Sequence, residues 1–238
     1  RVVPHPLFIE DYRGVIPAPR GPGFLAVTLF DFNSSAARKN PEGVIKAFAQ
    51  AFPNDPTARL VIKTQRGELF PDLLAKLKAS APSNVTVVDE VWPYGEVKSL
   101  IATADVLISL HRAEGFGLTM AEAMALGTPV VATGWSGNAD FMDETCALLV
   151  PSSPIAVDDP QGIYRGQSWA DPDLLAAAKA LQRLRAEPDL AARLTEAGRK
   201  RVAERLSPQA WFTTLPDGVQ RAAMAATRAS RKAAQASG

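Results

Sequence analysis

Two glutamates bracket a glycine turn in HRAEGFGLTMAEAM: Glu114 and Glu122, eight positions apart, with Gly115 and Gly117 between them. The glycines permit a tight turn and let a ligand come close to the backbone. A helix starting near Leu118 or Thr119 would aim free N–H groups and the positive end of its dipole at that turn. That is an anion site, with phosphate the obvious occupant. Glu122, in the early turns of the helix, can accept from a vicinal diol, as acidic residues do for ribose in dinucleotide sites. Glu114 precedes the turn, where a reacting group would lie. Phosphate, ribose and reacting sugar would then line up along one short segment. The same residues also describe a plain strand–helix turn between solvated carboxylates, and spacing alone leaves both open.

Other features remove whole classes. Met120 stands where GxGxxG needs its third glycine, so the dinucleotide fingerprint fails and a nucleotide-cofactor oxidoreductase with it. No GxxxxGK[ST] run occurs, which sets aside a P-loop NTPase. One cysteine, Cys146, excludes an internal disulfide and a cysteine-based metal cluster, and His5 and His111 are too few and too scattered for a metal site. A formal charge of +1 over 238 residues gives no global field for nucleic acid or an acidic membrane. No apolar run approaches the ~20 residues that span a bilayer, and no signal peptide is visible. The single cysteine fits a reducing, cytoplasmic setting. The chain opens on Arg1, which reads as a processed chain or a fragment of something longer.

The elements that must position these residues follow from periodicity. Short apolar runs predict strands over 24–30, 58–64, 84–90, 105–111, 128–133 and 146–150. Helical spacing predicts helices over 41–52, 69–80, 95–104, 118–126, 171–187 and 190–206, with Pro41 in a first turn and Asp171 as a cap ahead of Pro172. Strand and helix alternating at this pace imply a Rossmann-like α/β domain over 24–206, a parallel sheet with helices on both faces. Ligands bind such sheets at the carboxyl ends of the strands, where the loops after Phe30, Thr64, Glu90, His111 and Thr133 would gather. Residues 1–23 read as a lead-in linker, 151–170 as a long loop without periodicity, and 207–238 as a C-terminal surface helix fraying into a flexible tail. Trp92, Trp135 and Trp169 read as packing residues.

EGFGLTMAE resembles the E-x7-E motif of retaining glycosyltransferases of the family-four type (glycosyl transferases group 1), which have the GT-B architecture. FDFNSSAARKNPEGVIKAFAQAFP is similar to the first loop and helix of the family's donor-binding domain. SLHRAEGFGL, MALGTPVVATGWSGNADFM and YRGQSWADP match one subgroup, and VVPHP resembles the segment leading into the C-terminal domain. The resemblance covers about residues 2–206 and implies the C-terminal half of a GT-B fold, with the acceptor-binding N-terminal domain absent from this chain.

It also implies roles. Glu114 would hold the transferred sugar and stabilise charge near its anomeric carbon, and Glu122 would bind ribose. Backbone amides at Phe116, Gly117, Leu118 and Thr119, beside Gly115, would meet sugar and diphosphate. Arg38 and Lys39 would offset the leaving diphosphate. Relatives place an arginine where this chain has Asn33, so the resemblance leaves open which basic residue is primary. His111 would lie under the donor sugar, or be a satisfied strand-end histidine. Ser136, Gly137 and Asn138 would face donor phosphate and acceptor, or form a turn capped by Asn138. Thr64 and Val91 would flank the nucleobase.

The expected function is retaining transfer of a hexose from a UDP- or GDP-sugar, without metal or other cofactor, to a glycan, lipid or other hydroxyl. A non-catalytic nucleotide-sugar-binding or regulatory module is the alternative. Membrane association through the full-length protein stays open.

Overall fold

The structure, a computed structural model, describes residues 3–158, 164 and 166–236. In chain order come β1 (Phe24–Leu29), the single turn α1 (Ala36–Lys39), α2 (Pro41–Ala51), β2 (Ala58–Thr64), α3 (Pro71–Ser80), β3 (Val85–Asp89) and α4 (Tyr94–Thr103). After them run β4 (Val106–Ser109), α5 (Leu118–Leu126), β5 (Val130–Thr133), β6 (Leu148–Val150), β7 (Ser152–Ala156) and β8 (Ser168–Pro172). Four helices close the chain: α6 (Leu174–Ala186), α7 (Pro188–Leu206), α8 (Pro208–Thr214) and α9 (Asp217–Ala236).

β1 to β6 form one parallel sheet in the order β3-β2-β1-β4-β5-β6. Successive side chains leave opposite faces, so the uninterrupted apolar run of β1 feeds two cores. Phe24 and Ala26 join Val44 and Phe48 of α2 and Leu181 of α6; Leu25 and Val27 join Ile101 of α4, Met120 and Met124 of α5 and Val202 of α7. The expected α/β architecture is therefore the observed one. Chain order reverses at β1 and β4: β2 and β3 lie on one side, β5 and β6 on the other. That is where an open sheet of this kind forms its crevice.

Three stretches differ from their sequence reading. Residues 152–156 and 168–172 are not loop: β7 and β8 pair antiparallel, with Ile155 opposite Trp169. Trp169 and Ala170 are both buried while Ser168 and Asp171 stay exposed, a pattern without the strict alternation that marks a strand in sequence. The middle of that expected loop, residues 159–163 and 165, lies outside the described residues. Asp171 and Pro172 complete β8, so the cap passes to Asp173, whose carboxylate accepts from the amides of Leu175 (2.9 Å) and Ala176 (3.0 Å). The lead-in segment is not a free linker either. Leu7 and Tyr12 are buried, and the Leu7 amide donates to the Leu206 carbonyl at 2.6 Å, fastening the segment to the end of α7. At the C-terminus α9 continues to Ala236; the last two residues of the expected tail lie outside the described residues. Among the described residues no helix is long and apolar enough to cross a membrane.

Candidate active site

The loops leaving β1 and β4 face each other across the reversal point. After β1, Ser35 (φ 65°) and Asn40 (φ 54°) turn the chain back on itself. Ser35 Oγ accepts from the Arg38 amide at 3.4 Å. Asn40 Oδ1 accepts from the Gly43 amide at 3.2 Å, and Asn40 Nδ2 donates to the Leu110 carbonyl at 2.9 Å. Arg112 closes the seam: its amide donates to the Arg38 carbonyl at 2.8 Å and its Nη1 to the Ala37 carbonyl at 2.6 Å. α1 is thereby fixed to the end of β4, opposite Glu114.

This separates the two basic residues. Arg38 is buried, its guanidinium spent on the carbonyls of Ser34 (3.1 Å) and Ala113 (2.6 Å), and it reaches Glu114 Oε2 at 3.3 Å. Lys39 donates directly to Glu114 Oε2 and lines the cleft. Lys39 faces the ligand space and Arg38 supports the loop from behind. Burial pushes the Glu114 carboxyl up, but the charge and hydrogen bond of Lys39, with the charge of Arg38, outweigh it and hold the group below the ordinary carboxylate range. Burial pulls the Lys39 ammonium down, and Glu114 restores part of the loss.

Two glycines set the geometry beyond Glu114. Gly117 takes φ 96° ahead of α5; the Met120 and Ala121 amides donate to the Gly117 carbonyl at 3.0 Å, while those of Leu118 and Thr119 come before the first helical hydrogen bond and have no intrahelical partner. A Cβ on Gly137 would sit 2.2 Å from the Gly115 carbonyl, so only glycine lets the 135–138 loop lie against the 114–117 turn. The Gly137 amide donates to the Glu114 carbonyl at 3.0 Å. Ser136, strained at φ 80° and ψ −153°, accepts from the Glu114 amide at 3.1 Å and donates to the Glu114 carbonyl at 2.8 Å.

His111 and Asn138 lie beneath this contact, both fully buried. Asn138 Nδ2 donates to the Thr133 carbonyl at 3.0 Å, leaving Oδ1 as an acceptor. His111 Nε2 lies 3.0 Å from that oxygen and 3.0 Å from the Trp135 carbonyl, so the proton belongs on Nε2, and Nδ1 accepts from Ser109 Oγ at 3.0 Å. Burial lowers the pKa of the ring and keeps it neutral. Both ring nitrogens are used inside the protein. His111 therefore ties the strand end to the 135–138 loop, rather than offering a hydrogen bond to a sugar, and Asn138 is its partner rather than a helix cap.

Glu122, buried on α5, meets no cation directly among the described residues. Its Oε1 accepts from Tyr94 Oη and, at 3.3 Å, from Tyr12 Oη; the two phenols are 2.9 Å apart. Lys98 Nζ stands over both rings, 5.5 Å from that of Tyr12 and 4.9 Å from that of Tyr94. Burial raises the Glu122 carboxyl, and the phenol hydrogen bonds only partly offset it. Burial and the neighbouring carboxylate also raise both phenols, Tyr12 to about 12.

From Glu114 and Gly117 a cavity of about 130 Å³ runs past Leu29, Lys39 and Thr119 into a second of about 370 Å³ bounded by Lys63, Thr64, Trp92 and Tyr94. Lys63 Nζ donates to the carbonyls of Thr64 (2.9 Å) and Glu90 and lies 4.9 Å from the Trp92 ring centroid. Thr64 Oγ1 is buried without a hydrogen-bond partner. Val91 is 76% exposed and outside the cleft lining, whereas its neighbour Trp92 forms a wall. Of the three tryptophans read as packing residues, only Trp169 is buried.

A sequence model of the family described as glycosyl transferases group 1 matches residues 32–158, more than half of the chain and the whole span from Arg38 to Asn138. The chain belongs to the glycosyl transferases group 1 family. No curated protein matches it in sequence. Several solved glycosyltransferase structures share the fold. A pneumococcal O-GlcNAc transferase, solved with UDP and GlcNAc, is 19% identical with a TM-score of 0.57, over 83% of this chain and 35% of its own. A sucrose-phosphate synthase from Thermosynechococcus elongatus is 24% identical, TM-score 0.65, over 95% of this chain and 53% of its own. The C-terminal domain of a group 1 family protein from Francisella tularensis is 19% identical, TM-score 0.59, over 83% of this chain and 98% of its own. The chain thus spans about a third to a half of the first two and corresponds in extent to the third.

Sequence reasoning passed over Lys63, Trp92 and Tyr94, which line the cleft, and Tyr12, which bonds to Glu122. Tyr94 and Trp92 follow β3, one of the loops expected at the cleft, so position could have found them. Tyr12 had no such signal, because it lies in the aperiodic lead-in segment.

Proposed function

We propose that the chain is the donor-binding half of a retaining hexosyltransferase, moving a hexose from a UDP- or GDP-sugar to a hydroxyl of a glycan, lipid or other acceptor. The observation that carries this reading is the Lys39–Glu114 pair at the N-terminus of α5, in a cleft continuous with the Lys63–Trp92 pocket. The diphosphate would lie between Lys39 and the first amides of α5, the ribose towards Glu122, and the base against Trp92, near Thr64. The sugar would lie against Glu114 and the Gly115–Thr119 backbone. Lys39, Arg38 behind it and the helix amides supply the positive charge that a departing diphosphate needs, so the reading requires no cofactor besides the donor.

Retention by double displacement needs two carboxyl groups about 5 Å apart across the reacting carbon. Among the described residues Glu114 is the sole acid lining the cavity at the turn, and it is engaged by Lys39. That favours front-face attack: the acceptor hydroxyl bonds to the anomeric carbon as the bond to the diphosphate breaks, and its proton passes to the departing phosphate oxygen. The protein orients the donor and stabilises the leaving charge. The acceptor would be held largely by a domain beyond this chain.

Calorimetric titration with UDP, GDP, UDP-glucose and GDP-mannose tests the reading. One nucleotide series binds, and Glu122→Ala abolishes or strongly weakens that binding. A chain that binds none of the four would sink it.

A further inference from the structure

A separate cleft opens on the other side of the Glu114 loop. It has a volume of about 430 Å³ and lies between the 135–136 loop and the start of β8, lined among others by Trp135, Ser136, Tyr164, Gln167 and Trp169. We propose that this cleft binds a sugar ring of the acceptor; the word acceptor rests on the donor reading above.

Trp169 is 1% exposed, yet its Nε1–H has no hydrogen-bond partner. A buried indole N–H without an acceptor is costly, and such groups mark places where a ligand or water completes the structure. The indole forms part of the cleft wall, beside the Tyr164 ring at 5.7 Å between centroids. At the mouth Trp135 is 41% exposed, an unusual amount of open indole surface. Aromatic faces with polar tips suit a ligand that is apolar on its faces and hydroxylated at its edges, as a pyranose is.

Among the described residues, those lining the donor cleft include Lys39, Lys63 and Glu114, whereas the polar side chains lining this one are hydroxyls and an amide, which fit the hydroxyls of a sugar ring.

Position identifies the ring. Ser136 lines the cleft while its Oγ grips the Glu114 backbone on both N–H and carbonyl. The Glu114 carboxylate is drawn to the opposite side, onto Lys39. A ring in the cleft is thus one loop thickness from the reacting centre and distinct from the ring that Glu114 holds.

The four tryptophans give four indole N–H resonances, assignable from single Trp→Phe variants. The 238-residue chain is titrated with the methyl α-glycosides of glucose, mannose and galactose, with maltotriose, and separately with UDP, GDP and their hexose conjugates. The expected result is that at least one free saccharide shifts the Trp169 and Trp135 indoles and leaves Trp92 in place. Trp135→Ala, an exposed change that spares the core, weakens that binding tenfold or more. The proposal is overturned if no free saccharide moves Trp169, or if only the nucleotide sugars do, since the cleft would then serve the donor. The donor reading is judged separately at Trp92: silence there towards both nucleotides sinks it, while a saccharide shift at Trp169 still supports a sugar site.

Discussion

Glu114 and Glu122 share one strand–turn–helix segment, yet their surroundings are opposite. Glu114 is 14% exposed at its side chain and ion-paired to Lys39 and Arg38, and its carboxyl is held below the ordinary range. Glu122 is equally enclosed, but its neighbours are phenols and burial keeps its carboxyl raised. Carboxylates of the same type and similar burial therefore suit different work. One is a fixed charge within a cationic cluster, able to act on developing charge at a reacting carbon. The other is a hydrogen-bonding group held by two phenols, with the Lys98 ammonium over their rings, and is suited to a diol. The difference comes from the elements opposite them: α1 faces the first, α4 and the lead-in segment face the second.

The largest effects should come from erasing the charge of Glu114. Glu114→Gln is expected to lower transfer by about 10²–10³-fold, the scale for losing one preorganised electrostatic contact. Nucleotide affinity should stay level or rise, because the carboxylate no longer competes with a diphosphate for Lys39. Lys39→Met should do the reverse to binding, weakening UDP or GDP by tenfold or more. Turnover on the complete enzyme and calorimetry on this chain separate the two. Loss of nucleotide binding in Glu114→Gln would place Glu114 on the nucleotide and remove the contrast with Glu122.

Stability against pH should show the opposed shifts as opposed signs. A carboxyl depressed on folding stabilises the fold above its unfolded value, near 4.5, and that contribution is lost as pH falls through its folded value. Glu114→Gln should therefore cost stability at neutral pH, up to about 3–5 kcal/mol if the two cations are left unpaired, with the deficit shrinking on acidification. A carboxyl raised on folding behaves oppositely: its penalty is absent below about 4.5 and grows as pH rises towards its folded value. Glu122→Gln should gain in melting temperature relative to wild type over that rise. Calorimetric melting of both variants from about pH 2 to about pH 8 gives two difference curves that change in opposite directions, Glu114→Gln below about 4.5 and Glu122→Gln above it. Parallel curves would show that the two environments are electrostatically alike.

Much of this contrast was open to sequence reading on the Glu114 side and little on the other. The six sheet strands declared themselves as apolar runs because both faces of a parallel sheet are covered. Arg38 and Lys39 lie just past β1 and Glu114 just past β4, so the rule for parallel sheets places all three at the crevice. The phenols that define Glu122 lie 28 and 110 residues away in sequence, brought in by helix and lead-in packing that no local period encodes. His111 shows the same limit. A strand-end histidine is equally a ligand or a strut, and only the positions of Ser109, Trp135 and Asn138 decide for the strut. β7 and β8 escaped notice because SSPIA and SWADP each carry a proline and too few apolar residues to alternate visibly.

The smallest effects should come from the phenols, and these test whether Glu122 is positioned or merely enclosed. Tyr94 makes the closer bond to Glu122, and Tyr12 binds at 3.3 Å while also meeting Tyr94 at 2.9 Å. A net hydrogen bond contributes about 1 kcal/mol, so Tyr94→Phe should weaken nucleotide binding by roughly five- to tenfold. Tyr12→Phe should weaken it by about two- to threefold, since its longer bond contributes less. The phenols lower the Glu122 pKa against burial, so removing Tyr94 should raise it further. Diol binding uses the ionised carboxylate, so nucleotide affinity should decline as pH falls through the Glu122 value, and in Tyr94→Phe that decline should begin at higher pH. Dissociation constants measured across pH for wild type and both variants carry the test. A uniform weakening with no displacement of the pH profile would mean that Tyr94 only fills space beside Glu122, whereas a displaced profile in Tyr94→Phe, with a smaller displacement in Tyr12→Phe, is what a hydrogen-bonded carboxylate tuned by two unequal donors must give.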